Sequence, residues 1–167
     1  ENSLIEKNVQ IGSNSKIESG SIIKQNSIIG KNCIIRSGAV IGASSFSFER
    51  EKGNIFHMPI FGGVRIDDNV IIGSNSVISR GSFNNTEIGK NTLIDTLVQI
   101  AHNCKIGRNV TITGGSNIGG SVIIEDNVMI SPCSNISNNI NIGKSSHVGI
   151  GSVVIKDVSK NNKVFGN

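Results

Sequence analysis

The sequence predicts an all-β fold, a parallel β-helix of hexapeptide repeats with one loop excursion, and three observations carry that prediction. First, a β-branched residue recurs every six positions. From Ile88 the frame runs through Ile94, Ile100, Ile106, Ile112, Ile118, Ile124, Ile130, Ile136, Ile142, Val148 and Val154 without a break. A period of six matches neither the 3.6 of a helix nor the 2 of an alternating strand, because half of each unit turns a corner. Second, a small residue stands four positions after most of these, as in Cys104, Val110, Ser116 and Val122. Third, the composition suits a narrow interior: twenty Gly and only six Phe, with no Tyr or Trp. Three sides of one hexapeptide each give a coil of about 18 residues, so the chain makes about nine coils as a single domain over residues 1–167.

The elements follow in order. The frame opens at Ile5 and holds at Ile11, Ile17, Ile23, Ile29, Ile35 and Ile41, with Val9, Ser15, Ser21, Ser27, Cys33, Ala39 and Ser45 as the small column. Asn8, Asn14, Asn26 and Asn32 sit at the third position after their isoleucines, where a tight corner asks for positive φ. The frame then breaks over residues 47–64. The stretch 46–61 holds four of the six Phe, together with His57 and Pro59, and has no hexad period, so it reads as a loop thrown out of the helix. An apolar loop of this kind covers or binds something, or seals a seam between subunits. Repeats resume at Ile66, Ile72 and Ile78, skip two residues around 84–87, and then run to Val154 before a polar tail, 156–167.

Charge and cysteine usage exclude several classes. The net charge of +4 comes from scattered Lys and Arg with no basic run, which argues against a nucleic-acid partner. Cys33, Cys104 and Cys133 show no CxxC spacing, and the first two fall in the small-residue column as buried free thiols, so a reducing, cytoplasmic setting is expected. No apolar run approaches the ~20 residues of a membrane span, and no signal peptide is visible. The first residue is Glu rather than Met, as expected of a chain trimmed at its amino end.

His102 is the residue that does not belong to the repeat. It stands two positions after Ile100, hence at the outer face or rim, where an accessible imidazole can serve as a general base. One coil of 18 residues further on lies Gly120, about 4.8 Å along the axis, offering a bare amide N–H. A base with an oxyanion donor one coil away suits acyl transfer. No metal site is expected: His57, His102 and His147 are spaced by 45 residues, which is not a multiple of 18, so they cannot share a column. Serines mark repeat positions throughout and support no triad.

The residues resemble the hexapeptide acyltransferases over nearly the whole chain, and that resemblance implies left-handed coiling. More narrowly, GNIFHMPIFGGVRIDDNVIIGSNSVISRGSFNNTEIG followed by LIDTLVQIAHNCKIG resembles the UDP-3-O-acyl-glucosamine N-acyltransferases of lipid A synthesis. The specific marks are the loop, the R-G-x-x-x-x-T step at Arg80, Gly81 and Thr86, and the Q-I-A-H-N run. The resemblance implies His102 as the base acting on the sugar amine and Gly120 as the oxyanion donor. It places Asn103, Asn84, Asn85, Phe56 and His57 among the substrate-binding candidates. It further implies a homotrimer with sites between subunits, a nucleotide-sugar acceptor, and an acyl carrier protein thioester as co-substrate, with no permanently bound cofactor.

Three departures bear on this. Asn84 and Asn85 stand where the family usually has two aspartates, and Asn139 where it has a second His. Neither the family's amino-terminal uridine-binding domain nor its carboxy-terminal helix lies within these residues. The ending KDVSKNNKVFGN is similar to that of sugar acetyltransferases that use acetyl-CoA, which likewise carry an H-[ND]-C-x-I-G run, matched by His102, Asn103, Cys104, Ile106 and Gly107. The alternatives are therefore an acetyl-CoA-dependent sugar O-acetyltransferase and a non-catalytic β-helix scaffold; sparse Thr with no repeated column argues against an ice-binding face.

Overall fold

A computed structural model describes residues 2–166. Its strands, most only two residues long, form three parallel sheets of eight, seven and eight strands, the faces of a left-handed β-helix of about 9 turns. Strands that are neighbours in a sheet come from successive coils. Ile100 pairs with Ile118, Ile118 with Ile136 and Ile136 with Val154, a register of one coil at each step. In a two-residue strand such as Gln99–Ile100 the first side chain faces out and the second in, which is why one isoleucine per hexad suffices. Ile23, Ile41, Ile78 and Ile100 stack fully buried down one face, and Ser21, Cys33, Ala39, Cys104 and Ser116 fill the narrow space at the corners. Ile5 and Ile11 are exposed, because the first coil has a neighbour on one side only among the described residues.

The corners explain the asparagines. Asn14, Asn32, Asn69, Asn91, Asn109 and Asn127 all have φ between 54° and 60°, a left-handed conformation that Asn tolerates better than most residues. Each side-chain NH2 donates to the Oδ1 of the next, at 3.3, 3.1, 3.0, 3.1 and 3.2 Å, and so forms a ladder along one edge. The ladder continues unbroken past both interruptions of the repeat. Both are therefore confined to another corner, the one between the first and second faces.

The first interruption is more ordered than a loop. Phe48–Glu51 and Asn54–His57 pair as an antiparallel hairpin, with Phe48 opposite His57 and Glu51 opposite Asn54. Lys52 and Gly53 between them both have positive φ (48° and 82°), the conformation of a two-residue hairpin turn. Each strand is only four residues long and exposed on both sides, so no apolar alternation announced it. The second interruption is longer than frame counting gave. Ile66 pairs with Ile88 and Ile72 with Ile94, a register of 22, so four residues rather than two are inserted, in a bend over 81–85.

Arg80 ties these insertions to the helix. Its side chain is buried, with Nε donating to the Gly42 carbonyl at 3.0 Å and Nη2 to the Gln25 carbonyl at 2.8 Å. Burying a guanidinium is tolerated because it satisfies carbonyl oxygens that the departing chain leaves without strand partners.

Candidate active site

Below the insertions the same corner becomes regular again, and it holds His102, Gly120 and Asn138 in successive coils. Each is the second residue after an inward isoleucine: Ile100, Ile118 and Ile136. Backbone bonds stitch the column together. The Ser121 N–H donates to the His102 carbonyl at 2.8 Å, and the Asn139 N–H to the Gly120 carbonyl at 2.9 Å. A Cβ built at position 120 would stand 2.8 Å from both Cε1 and Nε2 of His102, so any side chain there would push the ring aside. The Gly120 N–H donates to Oδ1 of Asn138 at 2.8 Å.

These three residues line a groove of about 400 Å³, with Phe46, Ser79 and Gln99 on its other walls. Asn138 also lines an adjoining trough of about 450 Å³ that runs along the first face past Asn117 and Asn135 to the apolar pair Val153 and Ile155. A polar pocket at the histidine thus opens into a channel whose far end is apolar.

Asn103 shapes the histidine from the side. It turns the corner with φ of 59°, and its Oδ1 accepts the Ser82 N–H at 2.8 Å. That bond leaves its Nδ2 facing His102 Nδ1 at 3.2 Å. An amide NH2 can only donate, so Nδ1 is the acceptor and the neutral ring carries its proton on Nε2. Asn103 also packs against Gly81, where a Cβ would lie 2.8 Å from its Oδ1, so the bend at 81–85 rests directly on the histidine's neighbour.

The other candidates from the sequence lie elsewhere. Asn85 Oδ1 accepts the Gly63 N–H at 2.9 Å and fastens the two insertions to each other. Asn84 is exposed on the bend, with Phe83 beside it stacked on Phe61 at 6.0 Å. Phe56 and His57 sit on the second, exposed strand of the hairpin and do not line the His102 groove. Phe46 lines it instead. Sequence reading missed Phe46 and Asn138; counting a second coil from His102 would have reached Asn138. His147 lies on another face, 2.8 Å from the hydroxyl of Ser131.

The column defines a class, a hexapeptide-repeat β-helix with a histidine at a grooved corner, and comparison with known proteins narrows it. The model for the bacterial transferase hexapeptide (six repeats) matches residues 1–43 and 85–120, and that for the hexapeptide repeat of succinyl-transferase matches 63–96; together they cover more than half of the chain. Over those residues the chain is built of the hexapeptide repeat of bacterial transferases. Over 78 residues it is 47% identical to UDP-3-O-acylglucosamine N-acyltransferase of Shewanella denitrificans, covering 47% of this chain and 23% of that protein. With the same enzyme of Caulobacter sp. strain K31 it shares 32% over 120 residues, 72% of this chain and 35% of the relative. The chain thus spans about a quarter to a third of the curated relatives it matches. Among solved structures, the Francisella novicida UDP-N-acetylglucosamine acyltransferase superposes with a TM-score of 0.89 at 31% identity, covering 98% of this chain and 58% of that one.

Proposed function

We propose that the protein transfers an acyl group from a thioester to the amino group of a nucleotide-linked amino sugar in lipid A synthesis. One observation carries this reading: His102 and Gly120 share a groove in successive coils, inside residues 85–120, which match the bacterial transferase hexapeptide. The sugar nitrogen attacks the thioester carbonyl carbon, and the carbonyl electron pair moves onto oxygen. His102 takes the proton from the nitrogen while the Gly120 N–H receives the oxyanion. Collapse re-forms the carbonyl and expels the thiolate, which leaves as a thiol with the proton held by the imidazolium. For Nε2 to accept that proton, the neutral ring must carry its own on Nδ1, at the expense of the Asn103 contact.

The donor is an acyl carrier protein thioester or acetyl-CoA. The trough ending at Val153 and Ile155 favours a donor with an acyl chain longer than acetyl. The working unit is a homotrimer, in which a neighbouring subunit covers the exposed Phe46, Phe56, Phe61 and Phe83 and closes the groove. The enzyme works in the cytoplasm. Asn103 sits beside the base, while Asn84, Phe56 and His57 reach substrate only if they face the groove of the adjacent subunit.

A second reading is O-acylation. The Francisella structure, aligned over nearly the whole chain, is an acyltransferase of UDP-N-acetylglucosamine, whose nitrogen is already acylated. Turnover assays that pair UDP-3-O-acylglucosamine or UDP-N-acetylglucosamine with an acyl carrier thioester or acetyl-CoA separate these cases. An amide product from the first acceptor is expected, and an ester from the second would favour O-transfer. Light scattering should give three times the chain mass; a monomer at micromolar concentration would contradict the shared site.

A further inference from the structure

We infer that Asn138 gates the oxyanion amide, holding the Gly120 N–H in the resting enzyme and yielding it only as charge develops on the substrate. The inference rests on the acyl-transfer reading above and names a positioning residue for that site. Its geometry is specific. The Gly120 N–H is already taken, by Asn138 Oδ1 at 2.8 Å, and both residues line the histidine's groove. Of the two carboxamide groups only the oxygen can accept from an N–H, so the orientation of the Asn138 side chain is fixed by chemistry. Asn138 also stands where the histidine groove meets the trough toward Val153 and Ile155, so a donor lying along both passes directly over it.

The acceptors that compete for this N–H differ in strength. A carboxamide oxygen is a better acceptor than a thioester carbonyl, whose oxygen carries less negative charge. Ground-state donor therefore does not displace Asn138, whereas a full oxyanion, accepting a charge-assisted bond, does. The bond to Asn138 is thus kept in the free enzyme and the bound complex and given up only in the transition state, so it offsets part of the oxyanion's stabilisation and moderates the rate. The carboxamide swings aside into the trough as the oxygen takes its place.

The test compares Asn138→Ala with Asn138→Asp, using an acyl carrier protein thioester and UDP-3-O-acylglucosamine. Removing the competitor should raise kcat/KM for the thioester about two- to tenfold, the contribution of one neutral hydrogen bond, and the change should fall on kcat rather than KM, because the bond is broken only between the bound complex and the transition state. A carboxylate accepts the same N–H more strongly and repels the oxyanion, so Asn138→Asp should lower kcat/KM at least about tenfold. Opposite signs from the two variants are a signature that loss of packing alone does not give. A second readout needs no turnover: the Gly120 amide proton resonance should move upfield in Asn138→Ala and downfield in Asn138→Asp. The gate is overturned if both variants lose activity alike, if neither changes kcat/KM, or if the resonance stays in place. His102→Ala in the same assay keeps the two ideas apart, since normal turnover there would sink the base reading whatever Asn138 does.

Discussion

The imidazole of His102 lies against the α-carbon of Gly120, in the column one coil above it, with no room for a side chain between them. The base and the amide are thus held in fixed relation by the pitch of the helix. His102→Ala is expected to lower kcat by about 10²- to 10⁴-fold, the usual contribution of a positioned base, and to leave the melting transition in place. His57→Ala and His147→Ala serve as controls, because one lies on the hairpin and the other bonds Ser131 on a different face. Near-normal turnover in His102→Ala, with loss in either control, would refute the assignment. Gly120→Ala is less informative, since the new methyl would displace the ring by contact alone.

Asn103→Asp tests the tautomer. The substituted carboxylate can keep the Ser82 N–H on one oxygen and accept Nδ1–H from His102 on the other. The neutral ring would then present a bare Nε2, and the imidazolium would gain a counter-charge. Stabilising the charged form moves protonation of the base to higher pH, so the acid limb of the kcat profile should shift upward. A profile that superimposes on the wild type would mean that Asn103 does not control the ring.

Ile112 probes the core. It is fully buried and pairs with Ile94 on one side and Ile130 on the other. Ile112→Asp would leave a carboxylate without partners in that stack, and the protein should be insoluble or unfolded. Ile112→Val removes one methyl group and should cost about 0.5–1.5 kcal/mol in a denaturant melt. A soluble Ile112→Asp protein with a cooperative transition would contradict an inward isoleucine column.

The thiols give a chemical reading of the same interior. Burial pushes the Cys104 thiol up to about 11 and raises that of Cys33, while Cys133 is exposed at a corner. Alkylation of the native protein at pH 8 should therefore modify Cys133 alone, and denaturant should expose all three. The sign for stability follows. A folded state that favours the neutral thiol keeps its full advantage below the ordinary thiol range near ~8.5, and loses it as pH rises toward about 11. Rapid native labelling of Cys104 would show that the coils open.

What the sequence determined by itself is the helix. Hexad spacing places every inward isoleucine from Ile23 to Val154, because each coil repeats the same steric problem and meets it with the same residue types. It also placed His102 and Gly120 together, since residues 18 apart in an uninterrupted stretch must stack. Counting failed where the period failed. The four-residue insertion in the bend at 81–85, the hairpin at 48–57, and the placing of Phe46 rather than Phe56 on the groove depend on contacts between segments that share no repeat. Tertiary structure alone decided hydrogen-bond partners within the column. That Gly120 gives its N–H to Asn138, and that Asn103 turns its NH2 toward His102 because Ser82 claims its oxygen, follow from competition among donors and acceptors brought together only when the coils close.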